Sequence, residues 1–522
     1  MEKTKKQITI ASFFSRVGDY YKKHKVISIT LAILIIASSF LRLYNLEDTL
    51  MFQGDQGRDS YIISRIFKKA DLVFIGPVTS VGNMYLGPFY YYLAAPFLFF
   101  SYPSPMGPVY MVAMLSILTV FLTFYLGKQM VGGKAALIAT FLMTFSKEIV
   151  KHSRFSWNPN PVPLVSLLLI FFLSKRLDKP KYWIYIFVLI SIILQLHYIT
   201  LLLVVAAAFW WFIDLASMLK KKKSKNKLKL FGKYTAIGIL VFLLSVLPLV
   251  LFDLKHDGLN KKAFQSIIFS EGTFEHGEQT IGSFIYSLGV DIKSTGRQVL
   301  ADQLFMSNKP IHNYLALMFA IYLIAVLFIK KKRRFGKQET ILISITLISL
   351  IGLTNYQHAI FAHYLLFLSP VISLLIGCLC RDLLKNKIGI IPVFAILLYF
   401  MIQNLPANYL ESSGWKISDM KKLSESITEH TLPNEKYNIL LISESKDFYA
   451  QNYRYFLSTT SNPPVDPGDH DQADKLFVIN ENLPTYKVPG LPNSEIVTFP
   501  NKENFETYQI EGGPEIIIFK RD

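Results

Sequence analysis

One stretch of this chain, Phe52-Gln53-Gly54-Asp55-Gln56-Gly57-Arg58-Asp59-Ser60-Tyr61, combines acids with a guanidinium directly after the first long apolar run. A carboxylate such as Asp55 can take the proton from a hydroxyl as that hydroxyl attacks a carbon, a general-base role. Arg58 can hold a phosphate by charge-assisted hydrogen bonds. Further polar residues recur where later apolar runs end. They are Lys147, Lys151, His152, Arg154 and Ser156-Trp157-Asn158-Pro159-Asn160, then Gln195, His197 and Tyr198, and then Asn355, Tyr356, Gln357, His358, His363 and Tyr364. Lys147, Lys151 and Arg154 are candidates, with Arg58, for a phosphate-bearing lipid. Scarcity of water at a membrane surface would strengthen their hold on a departing phosphate. Asp59, Tyr85, Asn158, His197, Tyr198, His358, His363 and Tyr364 complete the candidate site.

Structural roles also fit these residue types. Asp59 can open the helix that follows it, and Arg58 and Arg154 can pair with loop acids. His197, His358 and His363 lack the His/Glu spacing of a metal site and fit interfacial side chains bonded to backbone. No metal ligand set is expected and no cofactor is assigned, a divalent ion being left open.

A membrane must position these groups. Of 522 residues, 52% are hydrophobic and 14% aromatic, with a mean hydropathy of +0.34; that composition is a polytopic membrane protein's. Lys and Arg outnumber Asp and Glu by 55 to 37, giving a net charge of +18. Because the cations cluster between apolar runs, they read as topology signals and not as a nucleic-acid face. Runs near Val26–Tyr44, Pro108–Leu126, Ala135–Val150, Val162–Leu173, Trp183–Leu196, Thr200–Met218, Tyr234–Phe252, Tyr314–Ile329, Thr340–Leu353, Phe361–Leu379 and Ile388–Gln403 predict about eleven crossings. Val26–Tyr44 has no small-residue cleavage site and reads as a retained helix. The basic clusters then share one side, the cytoplasm by the positive-inside rule, together with the N-terminus.

Counting the aromatic run Tyr85 to Phe100 as a crossing would invert every later loop, and Pro88 and Pro96 interrupt it. It is expected to lie in-plane or re-entrant on the outer side, with an amphipathic stretch from Asp59 to Lys69 beside it. Cys378 and Cys380 sit two apart in one predicted helix and cannot face each other, so no disulfide or zinc framework is expected. The domains read as a basic cytoplasmic N-terminus at 1–25 and a transmembrane domain at 26–404 with external loops at 46–106 and 253–311. A polar extracytoplasmic α/β domain at 405–522 follows, with β-type runs at Ile439–Ile442, Leu476–Ile479 and Glu515–Phe519.

The order of motifs resembles a known group. Asp55 with Arg58, then Gly87-Pro88-Phe89-Tyr90-Tyr91-Tyr92, then Gly132-Gly133-Lys134-Ala135-Ala136 opening a helix that leads to Ser153-Arg154-Phe155-Ser156-Trp157-Asn158-Pro159-Asn160, is similar to the C-type glycosyltransferase superfamily. Within it the chain resembles the bacterial protein O-mannosyltransferase branch, which includes the lipid A aminoarabinose transferases. The match runs over roughly Val26 to Ile199, with Phe361-Ala362-His363-Tyr364 and Pro370 as a weaker late element. The resemblance implies a polyprenyl-phosphate-linked sugar as donor, an extracytoplasmic site in a bacterial plasma membrane, inversion at the sugar carbon, and Asp55 as base. The acceptor is a glycan, a lipid or a protein of the cell envelope. Where the family often has Asp-Glu this chain has Asp55-Gln56, and where another acid is common it has Asn158, which becomes a positioning residue. The rival class is a transporter or flippase for a charged lipid, disfavoured because charges inside the predicted helices are few and paired broken half-helices are absent.

Overall fold

A computed structural model describes residues 23–79, 84–220, 225–269, 294–299, 314–315, 317–323, 337–354, 356, 359–405, 410–412, 414–444, 447–499 and 505–521. The helices in chain order are α1 (Lys25–Leu43), α2 (Gly54–Lys68), α3 (Phe89–Ser101), α4 (Met106–Val131), α5 (Gly133–Phe145), α6 (Lys147–His152), α7 (Val162–Lys175), α8 (Tyr182–Leu196), α9 (Leu201–Lys220), α10 (Lys225–Lys255), α11 (Leu259–Phe269), α12 (Lys337–Thr354), α13 (Ser369–Leu383) and α14 (Ile390–Asn404). After them come α15 (Ile417–Glu429), β1 (Tyr437–Ile442), α16 (Gln451–Leu457), β2 (Lys475–Asn480), α17 (Ser494–Val497), β3 (Phe505–Gln509) and β4 (Glu515–Lys520).

The chain is a multi-pass membrane protein. Six helical stretches are long and apolar enough to cross a bilayer: Lys25–Leu43, Met106–Val131, Tyr198–Lys220, Lys225–Lys255, Ala362–Leu383 and Lys387–Asn404. α3, α5, α7, α8 and α12 are apolar but shorter. Five of the six long stretches are mostly unburied within the protein or half so, whereas 94% of the Ala362–Leu383 window is buried. That segment is the central post of the bundle. Close packing makes it so: a Cβ on Gly377 of α13 would stand 2.2 Å from the carbonyl oxygen of Ala135 on α5, an approach that only glycine permits. Of the expected crossing Tyr314–Ile329, residues 314–315 and 317–323 are described and helical, while the rest of it and most of the expected external region 253–311 lie outside the described residues.

Two arginines join the bundle reciprocally. Arg42, buried near the end of α1, donates to the carbonyls of Met143 and Thr144 at the end of α5, and to Ser116 Oγ on α4. Arg154, which follows α6, donates to the carbonyls of Leu41 and Tyr44 at the end of α1 and to Thr49 Oγ1. The last carbonyls of a helix have no partner within it and carry the negative end of its dipole. Each arginine therefore caps the helix that the other sits beside.

Beyond α14 the chain forms a four-stranded sheet in the order β1-β2-β4-β3. β1 and β2 are parallel, Ile439 opposite Phe477, and the connection that parallel pairing requires carries α16. β4 runs antiparallel to both β2 and β3. One face (Ile439, Leu441, Phe477, Ile479, Ile516, Ile518) joins the core that continues into the membrane bundle. The other (Leu440, Leu476, Val478, Ile517, Phe519) closes over a small core of its own with Val488, Ile496 and Phe499. The three expected β runs are strands, and β3 is an additional edge strand. α2 differs from its expected bounds: it starts at Gly54, so Asp55 lies in its first turn and Asp59 one turn further in, not at a cap.

Candidate functional site

α2 carries the site. Gln53 precedes it in extended conformation, and Gln56 donates to the Met51 carbonyl, which fixes the entry turn. Arg58 reaches back to Asp55, Nη1 to Oδ1 at 2.8 Å, and forward to Asp59, with Nε and Nη2 on Oδ1 at 3.0 and 2.8 Å. One guanidinium thus holds two carboxylates of opposite exposure, the Asp55 side chain 52% exposed and that of Asp59 2%. Tyr91 of α3 adds a third donor to Asp59 Oδ1 at 3.2 Å. Asp59 Oδ2 has no hydrogen-bond partner among the described residues. Burial pushes the Asp59 carboxyl above its ordinary range and the Arg58 charge offsets this only in part. For Arg58, burial alone would lower the guanidinium, but Asp59 and Asp55 outweigh it and the result is raised.

Two cavities open on either side of Asp55. The first, about 420 Å³, is mostly apolar, with Val78, Met84, Leu86, Ile199 and Leu202 in its wall; Asp55, Arg58, Asn158, His197, Tyr198, His363 and Tyr364 line it too. The second, about 700 Å³, is lined by Gln53, Asp55, Gln56, Glu148, Lys151, His152 and Arg154 among others, and Glu411 and Ser412 of the connection to the sheet domain reach it. Asp55, Trp157 and His363 belong to both.

Most of the candidates drawn from sequence are therefore brought together, but in two groups. Arg58 faces the first cavity, while Lys151 and Arg154 face the second, so the four cations expected on one phosphate do not share a chamber. The Arg154 guanidinium is bonded to the end of α1 and is 4% exposed; its geometry is that of a strut. Lys147 lines neither cavity, and its amide donates to Asn404 of α14. Asn158 donates to the Leu196 carbonyl and so ties its turn to the end of α8. His197 accepts from the Ile199 amide through Nδ1, and burial brings it down to about 4. Tyr198 donates to the Tyr85 carbonyl at 2.5 Å, and Asn260 of α11 also grips Tyr85, which holds its neighbours Met84 and Leu86 in the cavity wall. His363 packs against Trp157 with ring centroids 4.6 Å apart and against Tyr364 at the same separation. His358 lies outside the described residues. Among the described residues no group of three His, Cys, Asp or Glu is arranged to hold a metal ion.

Several contributors were not named from sequence. Tyr91 on Asp59 and Trp157 between the cavities sat in motifs already singled out. Glu148, 1% exposed yet lining the second cavity, carried no sequence signal beyond its place beside Lys147. The sheet domain supplies the rest. A Cβ on Gly54 would meet Asp447 Oδ2 at 2.1 Å, and one on Gly57 would meet the Gln451 carbonyl oxygen at 2.3 Å. α16 therefore lies directly on the first turn of α2. Asn452 and Tyr455 extend the contact to the carbonyls of Phe52 and Pro103. Burial, with the Asp55 charge adding to it, raises Asp447.

No protein-family model matches the sequence, and a search of curated proteins finds no match. Solved structures do match. ArnT from Cupriavidus metallidurans bound to undecaprenyl phosphate aligns over 95% of this chain and 98% of its own, with a TM-score of 0.54 and 11% identity. Its apo state gives the same TM-score at 10% identity. The Archaeoglobus fulgidus oligosaccharyltransferase in complex with Zn and sulfate aligns over 86% of this chain and 68% of its own, with a TM-score of 0.52 and 14% identity. The fold is the C-type glycosyltransferase fold.

Proposed function

We propose that the chain is an inverting membrane glycosyltransferase. It moves a sugar from a polyprenyl-phosphate donor to a hydroxyl of a cell-envelope acceptor on the extracytoplasmic face. The observation that carries this reading is the position of Asp55, half exposed at the junction of a mostly apolar cavity and one lined by more charged side chains. The donor's first isoprene units fit the apolar chamber, with Arg58 at its polar end to meet the phosphate. The acceptor enters through the second chamber. Its hydroxyl oxygen bonds to the anomeric carbon as the bond from that carbon to the phosphate oxygen breaks. The leaving polyprenyl phosphate takes the electron pair, and the hydroxyl proton goes to Asp55. Arg58, held by Asp59, is pre-oriented to stabilise the charge on the leaving phosphate, at no reorganisation cost during the step.

The test is to reconstitute the protein in nanodiscs, supply radiolabelled polyprenyl-phosphate sugars with envelope extracts, and follow label transfer and polyprenyl-phosphate release. Label transfer that depends on Asp55 is the expected result. Binding of the donor without transfer or release would favour a lipid transporter instead.

A further inference from the structure

Glu148 is buried to 1%, and neither of its carboxyl oxygens has a hydrogen-bond partner among the described residues. Its Oε1 lies 2.9 Å from His152 Nε2 one helical turn away. On the other side of that ring, His152 Nδ1 is 3.1 Å from Asn160 Oδ1. Asn160 commits its amide nitrogen to the Phe155 carbonyl, so its Oδ1 can only accept and Nδ1 must donate. His152 Nε2 then faces Oε1 across 2.9 Å with no hydrogen bond closed between them. A buried carboxyl oxygen left without a partner is costly, and Glu148 borders the 700 Å³ cavity that contains Asp55.

We propose that Glu148, held by His152 and Asn160, is an acceptor-binding residue whose Oε2 receives a hydrogen bond from a hydroxyl of a sugar or polyol headgroup. The inference rests on the transferase reading above and names the class of its acceptor. A hydroxyl can donate to the unpartnered carboxyl oxygen without bringing a further charge into a buried site. A cationic group would meet Lys151 and Arg154 in the same cavity, which Asp55 and Glu411 line as well, and an ammonium control decides between the two.

The probes are octyl glucoside and octylglycerol, titrated below their micellar range into protein in phosphatidylcholine nanodiscs, with octyltrimethylammonium as the cationic control. Trp157 fluorescence reports occupancy, because Trp157 lines the same cavity; Trp157→Phe sets the background. Saturable binding of octyl glucoside or octylglycerol is expected, and whichever of the two binds tells sugar from polyol. Glu148→Met should weaken it roughly tenfold. Glu148→Gln should retain it, since the amide can donate to His152 and leave its oxygen free. Should Glu148→Met not fold, modification of Glu148 in the unaltered protein by dicyclohexylcarbodiimide, read by mass spectrometry, replaces it, and the bound probe should protect. Binding indifferent to Glu148→Met, no protection, preference for the ammonium control, or no saturable binding at all would overturn the proposal. Undecaprenyl-phosphate binding, measured on the same samples, should not change with Glu148→Met. If the unaltered protein fails to bind it while the Glu148 dependence of octyl glucoside persists, the transferase reading falls and the hydroxyl site stands.

Discussion

Replacing Asp55 by Asn separates chemistry from architecture unusually well. The Asp55 side chain is 52% exposed and takes one hydrogen bond from Arg58, which keeps both of its bonds to Asp59 when Asp55 changes. Exposed pairs contribute about 0–1 kcal/mol, so the fold should be nearly indifferent. Asn also preserves the shape and an oxygen for Arg58, losing only the basic carboxylate. A positioned base contributes about a hundredfold to ten-thousandfold in rate, equivalent to roughly 2.7–5.5 kcal/mol of barrier. Donor affinity should move the other way or not at all, because a negative charge beside the phosphate site is gone. Polyprenyl-phosphate release per enzyme in nanodiscs gives the turnover, analogue binding the affinity, and thermal unfolding the stability. Turnover within about threefold of the unaltered protein, or a loss explained by a fall in thermal midpoint, would refute the assignment of Asp55 as base.

Arg58→Lys keeps the charge and loses the fork that spans Asp55 and Asp59; donor KM should rise roughly tenfold, and steady-state kinetics with varied donor checks it. Arg154→Gln removes three bonds to the end of α1 and its following turn, so thermal unfolding should show a loss of about 2–3 kcal/mol, while a large change in donor affinity without it would restore Arg154 to the phosphate. Gly57→Leu should wedge α16 away from α2, because even a Cβ meets backbone there; faster proteolysis of the sheet domain and reduced transfer are expected. Ser104→Cys, in the turn between α3 and α4, should react with an impermeant thiol reagent from the outer side; labelling from the cytoplasmic side alone would invert the topology.

Where sequence reading succeeded, one dominant force had set the outcome. Apolar runs of the length a bilayer demands became helices because a helix satisfies its backbone groups in lipid within one segment. The three β runs rich in Ile, Leu, Val and Phe became the buried strands β1, β2 and β4. β3 escaped because Phe505-Glu-Thr-Tyr-Gln509 is a largely exposed edge, paired to β4 partly through Glu506 and Lys520, and shows no apolar alternation. The type and neighbours of Asp55 singled it out, and it lines both cavities. The division of Arg58 from Lys151 and Arg154 was not, since cations on one side of a membrane look equivalent until packing assigns them to separate chambers. Nor could burial of Glu148 be read from Lys147-Glu148, where the acid looks solvated. Gly54 and Gly57 read as loop glycines, whereas they are the places where a domain some four hundred residues away in sequence touches α2.

That last contact changes how the C-terminal domain must be viewed. A domain merely tethered by α14 could be removed without reaching the chemistry. Here Phe52, directly before the entry to α2, is 2% exposed and packs against Tyr455 and Phe456 of the domain, while Asp447 abuts Gly54, the residue before Asp55. Deletion from about Glu411 should therefore not leave donor binding whole. Truncation uncovers the first turn of the helix that holds both Asp55 and Arg58, and it removes Glu411 and Ser412 from the wall of the second cavity. Side-chain wedges at Gly57 are the sharper instrument because they leave the chain intact. The same geometry gives the domain a way to act on transfer without supplying a base. Whatever shifts α16 shifts the turn that aims Asp55, and near-attack alignment is sensitive to displacements of about an ångström. On the proposed reading, the sheet domain and the turn that carries Asp55 are joined at two glycines.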